Sequence, residues 1–158
     1  MKKSMLVLFA IAGGFAVGNL YFIQPLLGQI SKDLGTTAVQ NGWLVTSIQL
    51  GYAAGIVLLL PLGDVRSRKK FVPVMVTLAG LGQIAIGLSS SYTTLAIALF
   101  AVGFTTISGQ ILVPLTGELS DDSNRGRNVS FVVSGMIIGI LGARTISGLL
   151  TDLASWHV

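Results

Sequence analysis

The chain has 158 residues, of which 52% are hydrophobic and 10% charged, with a formal net charge of +4. A soluble domain carries roughly 25% charged residues, so this composition cannot cover a water-facing surface. It excludes a soluble enzyme or binding module and points to a membrane protein, as does the mean hydropathy of +0.81. There is no cysteine and a single histidine, His157 at the C-terminus, so disulfides, thiolate metal sites and thiol nucleophiles are excluded as well. The bases lie beside hydrophobic runs, the pattern of insertion topology rather than of nucleic-acid binding.

Crossing a bilayer takes about 20 mostly apolar residues. Runs at 5–30, 42–63, 71–88, 92–119 and 128–150 meet that length. They are long and do not alternate in polarity, so they predict helices rather than barrel strands. The start, "MKKSMLVLFAIAGGFAVG", resembles a signal peptide, but its apolar stretch continues through Ile30. That exceeds the 7–15 residues of a cleaved apolar core, so it reads as a first span. Glycine is frequent, at 20 residues, and falls mostly inside these runs, which suits close helix packing in lipid.

The connections alternate in charge. Lys2 and Lys3 precede the first span, Arg66, Arg68, Lys69 and Lys70 follow the second, and Arg125 and Arg127 follow the fourth. The other side carries only Lys32, and "SSSYTT" after the third span is uncharged. Eight bases against one place the N-terminus in the cytoplasm by the positive-inside rule, and five spans place the C-terminus in a periplasm-like compartment.

An internal repeat runs through the chain. "QPLLGQIS" (Gln24 to Ser31) matches "VPLTGELS" (Val113 to Ser120) at an offset of 89. "LPLGDVRS" (Leu60 to Ser67) matches "GLLTDLAS" (Gly148 to Ser155) at an offset of 88, where Gly51 and Gly55 face Gly139 and Ala143. Each of these last pairs is a small-xxx-small face, which lets helix backbones approach closely. A repeat of three spans turns its second copy upside down, the inverted-topology arrangement of many secondary transporters. The second copy lacks its third helix. The expected fold is therefore all-α: five transmembrane helices of a six-helix bundle.

"PLGDVRSRKK", from Pro61 to Lys70, sits between the second and third spans. An acid just past a helix C-terminus opposes the negative end of its own helix, so Asp64 calls for a basic partner or another helix's N-terminus. The stretch resembles the loop between helices two and three of the major facilitator superfamily, roughly G-x-x-x-D-R-x-G-R-R. Asp64 matches the acid, and Arg68 and Lys69 match the final basic pair, while Leu60, Val65 and Ser67 depart from the pattern. "NLYFIQPLLGQI", "IQLGYAAGIVLLLPLGD", "GQILVPL", "RGR" and "ARTISGLLTDLASW" are similar to a bacterial drug- or sugar-efflux-like branch of that superfamily. The likeness is to the N-terminal half without its sixth helix. It implies a cytoplasmic gate at Asp64, Arg68 and Lys69, whose inter-domain partner belongs to the absent half.

Uncharged polar residues inside the spans are the candidates for a substrate pathway: Asn19, Tyr21, Gln24, Gln49, Tyr52, Gln83, Thr106 and Gln110. Gln49 with Tyr52, and Thr106 with Gln110, each share a helix side by spacing. Such groups face a bundle interior in lipid, where they either line a path or join helices by hydrogen bonds. Arg144 lies deep in the fifth span, where a charge marks a functional site unless its side chain reaches to the surface. In many family members a Gly-Pro pair stands here, and Arg144 replaces the proline. The acids Asp33, Asp64, Glu118, Asp121, Asp122 and Asp152 all fall at or near span edges, so proton coupling is a family expectation with no residue deep in a span to carry it.

There is no metal-ligand spacing, nucleophile–base constellation or phosphate loop, and no cofactor is implied; "GFTTISG" lacks the lysine a P-loop needs. The expected function is transport of a small molecule across a bacterial inner membrane, by efflux and alternating access, with no enzymatic activity. Alternating access needs two halves, so the expected partners are lipid, a small-molecule substrate, and the missing C-terminal half or a second copy. The alternative is a truncated membrane remnant that transports nothing.

Overall fold

The computed structural model describes residues 1–65, 68–153 and 156, which are helical apart from short connections and contain no strand. The helices are α1 (Lys3–Gly18), α2 (Ile23–Leu34), α3 (Ala38–Val65), α4 (Arg68–Gly87), α5 (Tyr92–Thr105), α6 (Ser108–Glu118) and α7 (Arg125–Leu153). They form five apolar segments of membrane-crossing length: Lys3–Leu34, Ala38–Gly63, Lys70–Gly87, Tyr92–Glu118 and Arg125–Leu150.

The second span starts earlier than expected because its helix extends past its apolar centre through a polar first turn. The second span begins at Ala38, not residue 42. Thr37 accepts from the Gln40 backbone N–H at 3.3 Å, and Gln40 Oε1 accepts from the Thr37 N–H at 2.8 Å. This capping box satisfies two donors that the helix start leaves unpaired. A second one, Ser91 with Thr94, opens α5. Between α2 and α3 the chain reverses at Gly35, whose φ of 64° is left-handed, a conformation that favours glycine at a helix end.

The first and fourth spans were expected to be continuous, but each is broken midway. At Asn19–Phe22 the N–H groups of Leu20 and Tyr21 bond three residues back, to Val17 and Gly18, at 3.1 and 2.9 Å. At Thr106 the N–H is shared between Val102 and Gly103, at 3.0 and 3.2 Å. The Thr105 and Thr106 hydroxyls donate to the carbonyls of Ala101 and Val102 at 2.8 and 2.6 Å, a back-bonding that bends helices. A proline follows each break, Pro25 and Pro114. Proline has no N–H to give and crowds the carbonyl four residues earlier, which here belongs to Tyr21 and Gln110. Both prolines occupy equivalent positions of the repeat, while the break at Thr106 falls about two residues earlier in its copy than the one that begins at Asn19.

The packing repeats as well. α1 lies chiefly on α7, and α3 on α5. A Cβ on Gly14 would stand 3.5 Å from Gly139 Cα, and one on Gly18 would stand 3.1 Å from Ala143 Cβ. In the other crossing a Cβ on Gly51 would stand 3.0 Å from Phe104 N, one on Gly103 2.9 Å from Tyr52 N, and one on Gly55 2.8 Å from Ile107 Cγ2. Gly14, Gly18, Gly139 and Ala143 correspond to Gly103, Ile107, Gly51 and Gly55 at the offsets of 89 and 88. So the same crossing occurs twice, each time between a helix of one copy and a helix of the other, with small residues bringing the backbones together.

Between these crossings Ile23, Ile30, Leu44, Ile48, Leu95, Leu99 and Val102 form a buried core. Trp156 joins it, and its indole N–H donates to Asp33 Oδ2 at 2.7 Å. Outward, Leu8, Phe15, Val57, Leu58, Ile84, Ile97, Ile138 and Ile146 are exposed around the bundle. Such an apolar exterior suits a lipid environment rather than water.

Candidate functional site

Two polar pairs stand just past the two helix breaks. The Arg144 guanidinium lies over the Tyr21 ring, 5.0 Å from its centroid, so a cation–π contact joins α7 to the break in the first span. Gln110 Nε2 donates to the Tyr52 hydroxyl at 2.6 Å, joining α6 to α3. Tyr21 and Gln110 are equivalent in the repeat, at the offset of 89. Each pair joins one copy of the repeat to the other, through partners, Arg144 and Tyr52, that are not themselves equivalent. At 1.5 Å per residue, Tyr21 and Arg144 lie about 27 and about 28 Å along their spans from the end that carries Lys3 and Arg125. Gln110 and Tyr52 lie only about 12 and about 16 Å from that same end, counted from Glu118 and Gly63. The pairs therefore occupy two depths.

The other expected residues do not join these pairs. Asn19 and Gln83 line a different feature, a groove of about 990 Å³ walled by α1 and α7 and closed by the end of α4. Its α7 wall includes Gly135, Ile138, Gly142 and Ile146. Arg144 is two residues, about 200° of helix rotation, from both Gly142 and Ile146, so it faces away from this groove. Gln24 and Gln49 are half-buried on α2 and α3. Thr106 is buried at 3% exposure and its hydroxyl is taken by the Val102 carbonyl, so it belongs to the helix break and not to a wall. The side chains of Asp64, Arg68 and Lys69, the expected gating loop, lie outside the described residues. No cluster that could hold a metal ion occurs among the described residues.

Sequence reasoning missed the two breaks and the Asp33–Trp156 bond. The breaks had a visible signal, a proline four residues after Tyr21 and again after Gln110.

A family model of the Major Facilitator Superfamily matches residues 9–158. The chain belongs to the Major Facilitator Superfamily. With five apolar spans, this superfamily member is a multi-pass membrane protein. It is similar to an uncharacterized transporter, YgaY, of Escherichia coli O157:H7, with 38% identity over 99% of the chain and 40% of that protein. It is 31% identical to the inner membrane transport protein YnfM of Escherichia coli K12, over 97% of the chain and 37% of that protein. It is 33% identical to an uncharacterized transporter of the same superfamily type, Rv1877 of Mycobacterium tuberculosis, over 85% of the chain and 20% of that protein. The chain thus spans at most about 40% of the length of these curated relatives. No solved structure matches it.

Proposed function

We propose that this chain is the substrate-path portion of a secondary transporter that exports a small molecule from a bacterial cytoplasm across the inner membrane. The observation that carries the reading is the placement of Tyr21–Arg144 and Gln110–Tyr52 at two depths, each beside a broken helix. Broken helices near a repeat interface are where secondary transporters place their substrates. Tyr21, Gln24, Gln49, Tyr52, Gln110 and Arg144 line the path, and Asp64, Arg68 and Lys69 gate its cytoplasmic mouth. Asn19 is withdrawn from that wall because it lines the groove. The eight bases on one set of loops support a cytoplasmic N-terminus. A coupling carboxylate, if protons drive export, belongs to the span edges or to the rest of the transporter.

The groove between α1 and α7 has its own place in this reading. α4 packs on α5 and less on α3, and the repeat calls for an equivalent helix against α1 and α7. We assign the groove to that sixth transmembrane helix, which leads into a second half. The relatives' greater length supports this assignment, and a second copy of the chain is the other occupant that the test admits.

Transport is tested in bacteria carrying a panel of fluorescent small molecules and expressing the chain alone, two fused copies, or either form with Arg144→Ala. Faster dye loss with the parent chain than with Arg144→Ala at equal membrane level supports the proposal. Sensitivity of that loss to an uncoupler supports proton coupling. Equal loss from all strains across the panel favours the inert remnant.

A further inference from the structure

The charge placed at the outer polar pair narrows the class of substrate, an inference that rests on the transport reading. Arg144 is the twentieth residue of the 26-residue span Arg125–Leu150. An unpaired guanidinium inside a span is costly, so something must hold it there. No ion pair reaches it among the described residues, where the one recorded pair joins the N-terminal amine to Asp121. Asp33, Glu118, Asp121 and Asp122 lie at span ends or in connections. Arg144 is turned onto the Tyr21 ring, which contributes a quadrupole but no charge. The positive charge is held and oriented, yet no acid among the described residues neutralises it.

Orientation decides what can neutralise it. A cation–π contact uses the charge of the guanidinium and takes up none of its N–H donors as a hydrogen bond to an oxygen, and those donors form a fork that matches a carboxylate or phosphate in two parallel bonds. Arg144 is exposed and faces away from the apolar groove. It does so beside the helix break that the repeat sets opposite the neutral Gln110–Tyr52 pair. A reach to the membrane surface would carry the side chain along its own helix; instead it turns sideways to span one. We propose that Arg144, positioned by the Tyr21 ring, is an oxyanion site, and that the transported molecule is a small organic anion bearing a carboxylate or phosphate. Neutral and cationic molecules of the same shape are disfavoured there.

The test is arginine-specific labelling of the full chain in native membranes by phenylglyoxal, resolved residue by residue by mass spectrometry. Arg144 should react, and benzoate or inorganic phosphate at about nine times its dissociation constant should slow its labelling about tenfold. Neutral benzamide should not slow it, nor should benzoate slow Arg125. Protection by benzoate alone names a carboxylate, and by phosphate alone a phosphate. Tyr21→Leu should weaken protection while Tyr21→Phe keeps it. An Arg144 that stays unlabelled while Arg125 reacts, or that reacts equally with and without both anions, overturns the site. The transport reading fails separately. Dye export with an unprotected Arg144 leaves transport and removes the anion, whereas protection without export of any dye does the reverse.

Discussion

The crossing of α1 and α7 can be measured by adding one methyl group. In Gly139→Ala the new Cβ would lie 2.5 Å from the Gly14 carbonyl carbon and nearer still to its oxygen, where real contacts begin near 3.0 Å, so the helices must part by more than half an ångström. The obstacle is backbone, which cannot swing aside as a side chain can. Gly80→Ala is the control, because that position is exposed on α4 and a Cβ there meets nothing within 4 Å. Both changes gain the same helix propensity, about 1 kcal/mol, so this term cancels in the comparison. What remains is overpacking, about 1–3 kcal/mol, and Gly139→Ala should be less stable than Gly80→Ala by that amount. The repeat adds a second case, since Gly51→Ala drives its Cβ into the Phe100 carbonyl group and should behave like Gly139→Ala. The assay is reversible unfolding of the purified chain in mixed micelles by added denaturing detergent, followed by tryptophan fluorescence. Equal stability of Gly139→Ala and Gly80→Ala would refute the close crossing, and divergence of Gly51→Ala from Gly139→Ala would refute the repeat of its geometry.

Further outcomes are expected of other contacts. Trp156→Phe keeps most of the packing but loses the bond to Asp33, which is itself exposed, so it should cost about 0.5–1.5 kcal/mol. Trp156→Ala should cost about 3–5 kcal/mol in the same unfolding assay; a silent Trp156→Ala would place the indole outside the core. Tyr52→Phe removes the acceptor for Gln110 and should change stability by only about 0.6 kcal/mol, the average for hydrogen bonds between membrane helices. Its export rate should fall by more than that loss accounts for, and an unchanged rate would confine the pair to joining helices. A reporter fused after Lys70 should read as cytoplasmic and one fused within "SSSYTT" as periplasmic; the opposite pattern would reverse the orientation.

The number and type of spans were legible because hydropathy over about 20 residues is a strong signal. The small-residue faces were legible too, since Gly51, Gly55, Gly139 and Ala143 recur at helical spacing. The breaks were signalled only by the prolines after Tyr21 and Gln110, because an apolar run looks the same whether its helix is straight or bent. The partners of the polar residues were also hidden. Asp33 and Trp156 meet across 123 residues, and Tyr21 meets Arg144 across an equal separation. Spacing along one helix does not say which distant helix faces it. Thr106 shows the limit of spacing, since it was placed on one helix side with Gln110, whereas the break leaves Thr106 at the end of α5 and Gln110 on α6, with the Thr106 hydroxyl taken by the backbone.

The repeated crossing bears on how the chain finds its sidedness. α1 meets α7, and α3 meets α5, through equivalent residues pointing opposite ways across the membrane. Turned end for end, the molecule would present nearly the same seams. Its interior packing is therefore almost blind to inside and outside, and the choice falls to the bases in the connections. Removing a few of them should yield a mixed population inserted both ways, each member as tightly packed as the other.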